Sequence, residues 1–210
     1  MADWYRQKSW TKADEEFFFM KLRRARKDGR AQYLKVQAIE LVETKDKKLL
    51  DVAEGLIDKL FSEYPDDKFN RASALVTLGN IYQLRNDDGK AIDYYKQAID
   101  FEIIYPQVQT QAYMYFSELV IKQRKFEFYD IVEKKLLEKI PQALFPIEKY
   151  KGYSILSIIN IQNGNTIQAA HYEKLAEQNA NKKTSALRYH KYLGIVKERD
   201  SWLDKLVKGK

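Results

Sequence analysis

Apolar residues recur along this chain at intervals of three and four, and alternation at period two is nearly absent, so helices are predicted and no sheet. Phe18, Leu22 and Ala25 share one face of a helix predicted over 12–27. Thr11 can cap it, with Asp14 three residues on in a capping box and Glu15 and Glu16 at the positive end of its dipole. Asp28-Gly29 is expected to end it. Leu34, Ala38 and Leu41 mark a second helix over 31–43, and Leu50, Ala53, Ile57 and Leu60 a third over 47–63. The third stops at Tyr64-Pro65, because the residue before a proline disfavours helix. The same reading places helices over 68–85, 89–103, 107–123, 126–139, 147–162, 165–180, 184–198 and 201–208. Turn signals at Asn86–Gly89 and at Asn163-Gly164-Asn165 divide them, and Pro141 closes another. The connections are short, which predicts one all-α domain over 1–210.

The helices fall into register. Ala53, Ala91, Tyr129 and Ala169 take the same place in the second helix of successive pairs, at intervals of 38, 38 and 40 residues. Gly79, Ser117 and Ser157 are the matching small residues of the first helices, each preceded by a large one, Leu78, Phe116 or Leu156. A small side chain lets two helix axes approach, and large neighbours fill the gaps. The stretch Leu78-Gly79-Asn80-Ile81-Tyr82, followed by Gly89-Lys90-Ala91-Ile92-Asp93-Tyr94-Tyr95-Lys96-Gln97-Ala98, resembles the tetratricopeptide repeat (TPR), a helix-turn-helix unit of about 34 residues that stacks with copies of itself. The resemblance spans roughly 31–180, closely in 72–105 and loosely in the other pairs, whose spacing is longer than the family's. It implies an all-α, right-handed α-solenoid of about four TPR-like repeats over 31–180. A capping helix would lie within 1–30 and further capping helices within 181–210.

By this resemblance the first helix of each pair lines a concave groove. Its positions are Gln32, Lys35, Ile39, Ser73, Val76, Asn80, Gln83, Gln111, Met114, Glu118, Lys122, Lys151, Ser154 and Ile158. The mixture of amides, lysines and apolar groups suits a peptide or helix of a partner protein. Asn80 and Lys151 stand where two residues of a TPR carboxylate clamp would, but Val76, Tyr115 and Ile155 occupy other clamp positions, which argues against that clamp. The expected function is a non-catalytic protein–protein interaction module. An inhibitor or immunity-type partner of one specific protein is an alternative.

The net charge of +7 is uneven. Residues 1–30 carry 9 basic and 5 acidic side chains, residues 182–210 carry 9 and 3, and the middle is slightly acidic. Lys21, Arg23, Arg24, Arg26, Lys27 and Arg30 form the densest basic cluster, with Arg23, Lys27 and Arg30 expected on one helical face. Nucleic-acid or polyanion binding through these basic ends is a second alternative, against the plainer reading of a solvated face or of ion pairs to Glu40 and Glu43. Trp202, Leu203 and Leu206 are open either to pairing between two copies or to capping the last repeat.

Catalytic chemistry has little foothold, and neither enzyme activity nor a cofactor or metal is expected. Cysteine is absent. His171 and His190 lack an acid or a second His at the four-residue spacing of a helical metal site. Neither a phosphate-binding Gly-x-x-x-x-Gly-Lys nor a Gly-x-Ser-x-Gly is present. No run of about 18 apolar residues suggests a membrane span, and the first residues lack the apolar core of a signal peptide, so a cytoplasmic location is expected.

Overall fold

A computed structural model describes residues 3–208. Among them it holds ten α-helices, two short 3-10 turns and no strand. The chain divides into two compact units, Met1–Ala112 and Tyr113–Lys210.

The first unit contains α1 (Lys12–Arg24), α2 (Lys27–Glu43), α3 (Lys47–Glu63), α4 (Arg71–Leu84) and α5 (Asp88–Ile104). α2 packs against α3, α4 packs against α5, and α4 also touches α2 and α3. The starts of these helices follow from side chains that accept orphan backbone N–H groups. Thr11 and Asp14 form the expected capping box. Asp46 accepts from Lys48 N at 3.0 Å and Asp87 from Lys90 N at 3.1 Å. Lys45 and Asn86 take positive φ just before these caps and reverse the chain. Phe18, Leu34, Leu41, Leu50, Ile57, Leu60 and Ile81 form the fully buried core. Ala53 and Ala91, the small residues of the second helices, are also fully buried.

The boundary between α1 and α2 differs from expectation. α1 stops at Arg24, Ala25 and Arg26 are extended, and Asp28-Gly29 lies in the first turn of α2 instead of ending α1. The reason is the Arg30 guanidinium, which donates to Arg23 O at 2.6 Å and to Ala25 O at 3.1 Å and so satisfies carbonyls at the end of α1. Asp28 then stands at the positive end of the α2 dipole. The helix expected from 68 begins at Arg71, because Asp67 turns back to accept from Asn70 N at 2.7 Å.

The second unit contains α6 (Ala112–Lys122, its first residue being the last of the first unit), a 3-10 turn over Phe126–Phe128, α7 (Tyr129–Lys139), a turn over Ile140–Gln142, α8 (Pro146–Gln162), α9 (Thr166–Ala180) and α10 (Ser201–Val207). α8 packs against α9, α7 and α10. Ser117 and Ser157 are buried at the expected small positions, and the Ser157 hydroxyl donates to Ala169 O at 2.9 Å. Gly152 allows close approach here, since a Cβ at that position would meet Ile140 at 2.3 Å.

Three expectations change in this unit. The helix expected from 107 begins at Ala112. The helix expected over 126–139 is a 3-10 turn followed by α7. The helix expected over 184–198 is absent, so α10 is the only helix after α9 among the described residues. In that segment Ser185 N donates to Lys191 O at 2.6 Å and the Ser185 hydroxyl to His190 O at 3.1 Å. Backbone groups that a helix would pair among themselves are thus taken by a turn. Gly194, at φ +71°, then redirects the chain, and its carbonyl accepts from Ile147 N at 2.9 Å.

Candidate helix-binding surfaces

In the first unit the sequence-derived groove positions meet on two neighbouring helices. Lys35 and Ile39 lie one turn apart on α2; Val76, Asn80 and Gln83 follow one another on α4. Lys35, Ile39, Val76 and Asn80 are half-buried and Gln83 is exposed. Burial pulls the Lys35 ammonium below its usual pKa, partly opposed by Asp67. No carboxylate among the described residues forms an ion pair with Lys35. The Tyr95 hydroxyl donates to Asn80 Oδ1 at 2.7 Å and lies 3.2 Å from Gln83 Oε1. Asn80 is therefore oriented by its carbonyl end. The set thus combines two half-buried apolar side chains, Ile39 and Val76, with a partly desolvated cation and two amides. Gln111 is exposed near the end of this unit, and Gln32 is exposed and Ser73 half-buried.

In the second unit the expected groove is closed. Met114, Ser154 and Ile158 are buried, with Ser154 only 1% exposed. Lys122 remains exposed at the end of α6. Glu118 on α6 and Lys151 on α8 are joined by ion pairing, with both carboxylate oxygens 3.1 Å from Lys151 Nζ. The chain's own C-terminal segment covers this face. Asp200 lies 3.2 Å from Lys151 Nζ, and its backbone N–H donates to the Tyr150 hydroxyl at 3.2 Å. That hydroxyl donates to Asp204 at 2.9 Å. Arg199 bridges Asp204, at 2.7 Å, and Glu177 of α9, at 2.8 Å. Leu203 is fully buried and Val207 is buried. Leu206 lines a 240 Å³ cavity with Ile121, Ile158 and Ile161. α10 thus runs along α8 from Tyr150 and Lys151 toward Ile158, with Leu203 and Leu206 on the side that meets it.

The electrostatics of this seat follow from its stoichiometry of one ammonium and two carboxylates. Burial raises the Glu118 pKa, Lys151 offsets this in part, and Asp200 adds repulsion. For Lys151, burial alone would lower the pKa, but Glu118 and Asp200 outweigh it and the ammonium stays charged. Burial and the bond to Asp204 push the Tyr150 hydroxyl well above its usual range. Burial, with Glu148 nearby, pushes Tyr113 up to about 12.

The six cations of the N-terminal cluster do not form one stripe. Lys21, Arg23 and Arg24 end α1, Arg26 is the N-cap of α2, and Lys27 and Arg30 stand in its first turn. Arg30 is spent on the end of α1, and Lys21 lies over the Phe17 ring at 5.4 Å. Glu40, expected to pair with this cluster, pairs with Arg6 at 2.5 Å.

Sequence reasoning missed Asp200, Arg199 and Asp204 as parts of one surface. Their signal was the acid–aromatic–leucine pattern at 200–203, opposite Lys151. His171 and His190 are exposed, and no group of three His, Asp or Glu among the described residues converges to hold a metal. No helix among them is long and apolar enough to cross a membrane.

These features define an all-helical protein in which one face of α8 carries the chain's own α10. No protein-family model, curated protein or solved structure matches the chain.

Proposed function

We propose that the protein is a non-catalytic protein-interaction module that receives an amphipathic helix from a partner. In this reading the pairs α2–α3, α4–α5, α6–α7 and α8–α9 are TPR-like repeats of a right-handed solenoid, and the first helix of each pair faces the ligand. The observation that carries it is α10: the face of α8 bearing Lys151, Ser154 and Ile158, positions assigned to the groove by sequence, holds a helix. That helix puts leucine and valine inward and an aspartate on the lysine. The open α2–α4 surface offers related chemistry, since Lys35 is half-buried and in want of a carboxylate, beside Ile39 and Val76.

The test uses a labelled peptide spanning residues 199–208. A tethered helix competes at an effective concentration of the order of 1 mM, so a docked α10 requires an intrinsic Kd below about 1 mM. Full-length Leu203→Asp, with α10 released, is expected to bind the peptide within that limit, and the wild-type chain at least about tenfold more weakly. A Leu203→Asp chain that keeps its helical circular dichroism yet binds no peptide overturns the reading.

A further inference from the structure

The segment between α9 and α10 carries a second surface, independent of the helix-binding reading. Several of its backbone groups bond within the loop. Besides the two Ser185 bonds, His190 N donates to Leu187 O at 3.2 Å and Leu193 N to His190 O at 2.9 Å. Gly194 anchors the far side against Phe145, so tightly that a Cβ there would lie 2.2 Å from the ring. The loop is therefore a pre-formed turn that leaves Arg188, Tyr189, Lys191 and Tyr192 exposed.

What it presents is unusual in two respects. Tyr189 is 83% and Tyr192 70% exposed, and Leu193 beside them is 55% exposed. Large apolar surfaces grouped on one short loop mark a contact site more often than isolated ones do. Neither tyrosine stacks on another ring among the described residues; the Arg188 guanidinium lies 5.4 Å from the Tyr189 ring centre. In addition, residues 178–197 contain Lys182, Lys183, Arg188, Lys191 and Lys197 and no acid. Of the flanking acids, Glu177 and Asp204 are engaged by Arg199 and Asp200 by Lys151, which leaves Glu198 alone without an ion pair among the described residues. None of the five cations forms an ion pair among the described residues. Five cations against this one free acid leave the loop net positive.

Free aromatic faces interleaved with cations match one ligand chemistry in both respects: unpaired bases stack on the rings while phosphates meet the cations. An acidic peptide would leave the rings unused. An anionic bilayer would call for an apolar wedge, and the loop offers one exposed aliphatic side chain. We propose that residues 182–193 bind single-stranded nucleic acid, with Tyr189 and Tyr192 stacking on bases and Arg188 and Lys191 contacting phosphates.

The experiment measures anisotropy of labelled 20-nucleotide oligo(U) and oligo(dT) with the full-length chain at 50–200 mM NaCl. A duplex of equal length and vesicles containing phosphatidylserine are run in parallel. The wild-type chain is expected to bind single strands, with affinity falling as salt rises. Tyr189→Ala/Tyr192→Ala should weaken binding at least about tenfold and leave the salt slope unchanged. Arg188→Ala/Lys191→Ala should reduce the slope of log K against log salt by about 1.4, or ~0.7 for each phosphate that is no longer neutralised. The substituted side chains are on the surface, and circular dichroism checks the fold of each variant. The proposal is overturned by absence of single-strand binding at 50 mM NaCl, or by unchanged affinity of the tyrosine variant. Duplex binding as tight as single-strand binding, or capture by vesicles alone, also overturns it.

Discussion

The ring of Tyr95 on α5 lies against Gly79 on α4 so closely that a Cβ on the glycine would stand 2.3 Å from the ring's Cε1. The ring cannot retreat, because it is fully buried and its hydroxyl is held by Asn80 at 2.7 Å. Gly79→Ala is therefore expected to lower the unfolding free energy by about 1–3 kcal/mol through overpacking, although alanine is the better helix former by about 1 kcal/mol. Urea unfolding followed by circular dichroism measures this. An unchanged or raised stability would mean that the pair has room to part.

Tyr95→Phe removes the hydroxyl and keeps the ring. The destabilisation should be smaller, about 1 kcal/mol for a bond to an amide carbonyl. Because that hydroxyl also orients Asn80 and lies near Gln83, the variant should weaken helix capture at the α2–α4 surface by more than the stability change explains. Peptide titration and urea unfolding on the same sample separate the two effects.

Ala91 sits in the first turns of α5 with no exposed surface. Ala91→Glu forces an unpaired carboxylate into that packing and should cost about 3 kcal/mol or more. A melting curve that does not move would show that the site can turn the charge outward.

How much of this was legible in the sequence depends on whether the deciding interaction was local. Ala53, Ala91, Ala169 and the small residues Gly79, Ser117 and Ser157 were readable because close helix contact imposes a residue size at a fixed spacing, and all of them are buried. The caps at Thr11, Asp46 and Asp87 depend on neighbours two or three residues away. The α1–α2 break was not readable from Asp28-Gly29, since it rests on Arg30 reaching back seven residues to Arg23 O. The stretch 184–198 has helix-compatible side chains, but Ser185 closes a turn and Gly194 is pinned by Phe145 and Ile147, contacts that span more than forty residues. Lys35 and Ile39 lie on α2, and Val76, Asn80 and Gln83 on α4, which packs against it. Met114, Ser154 and Ile158 were expected in an open groove and are buried, with Leu206 at the cavity that Ile158 lines.

Glu118 gives the α10 seat a pH dependence. Its folded-state pKa is raised by burial, so the folded chain takes up its proton before the unfolded chain does. Linkage then makes this group's contribution more favourable to folding as pH falls from neutrality toward the ordinary carboxylate range, and less favourable as pH rises through the raised pKa. Glu118→Gln lacks that proton. The stability of wild type minus that of Glu118→Gln should therefore increase from pH 7 to pH 5, as measured by urea unfolding at both values. A difference that stays flat, or shrinks, would show that the carboxylate is not desolvated.

Trp202 rides on α10 and is half-buried there, while Trp4 and Trp10 sit far back in the chain, packed around Phe18 in the first unit. With phenylalanine at both of those positions, the protein would carry a single indole emitter, placed on α10. If a competitor displaces α10 from the seat, the emission should shift to the red, so competitors could be screened without attaching any dye.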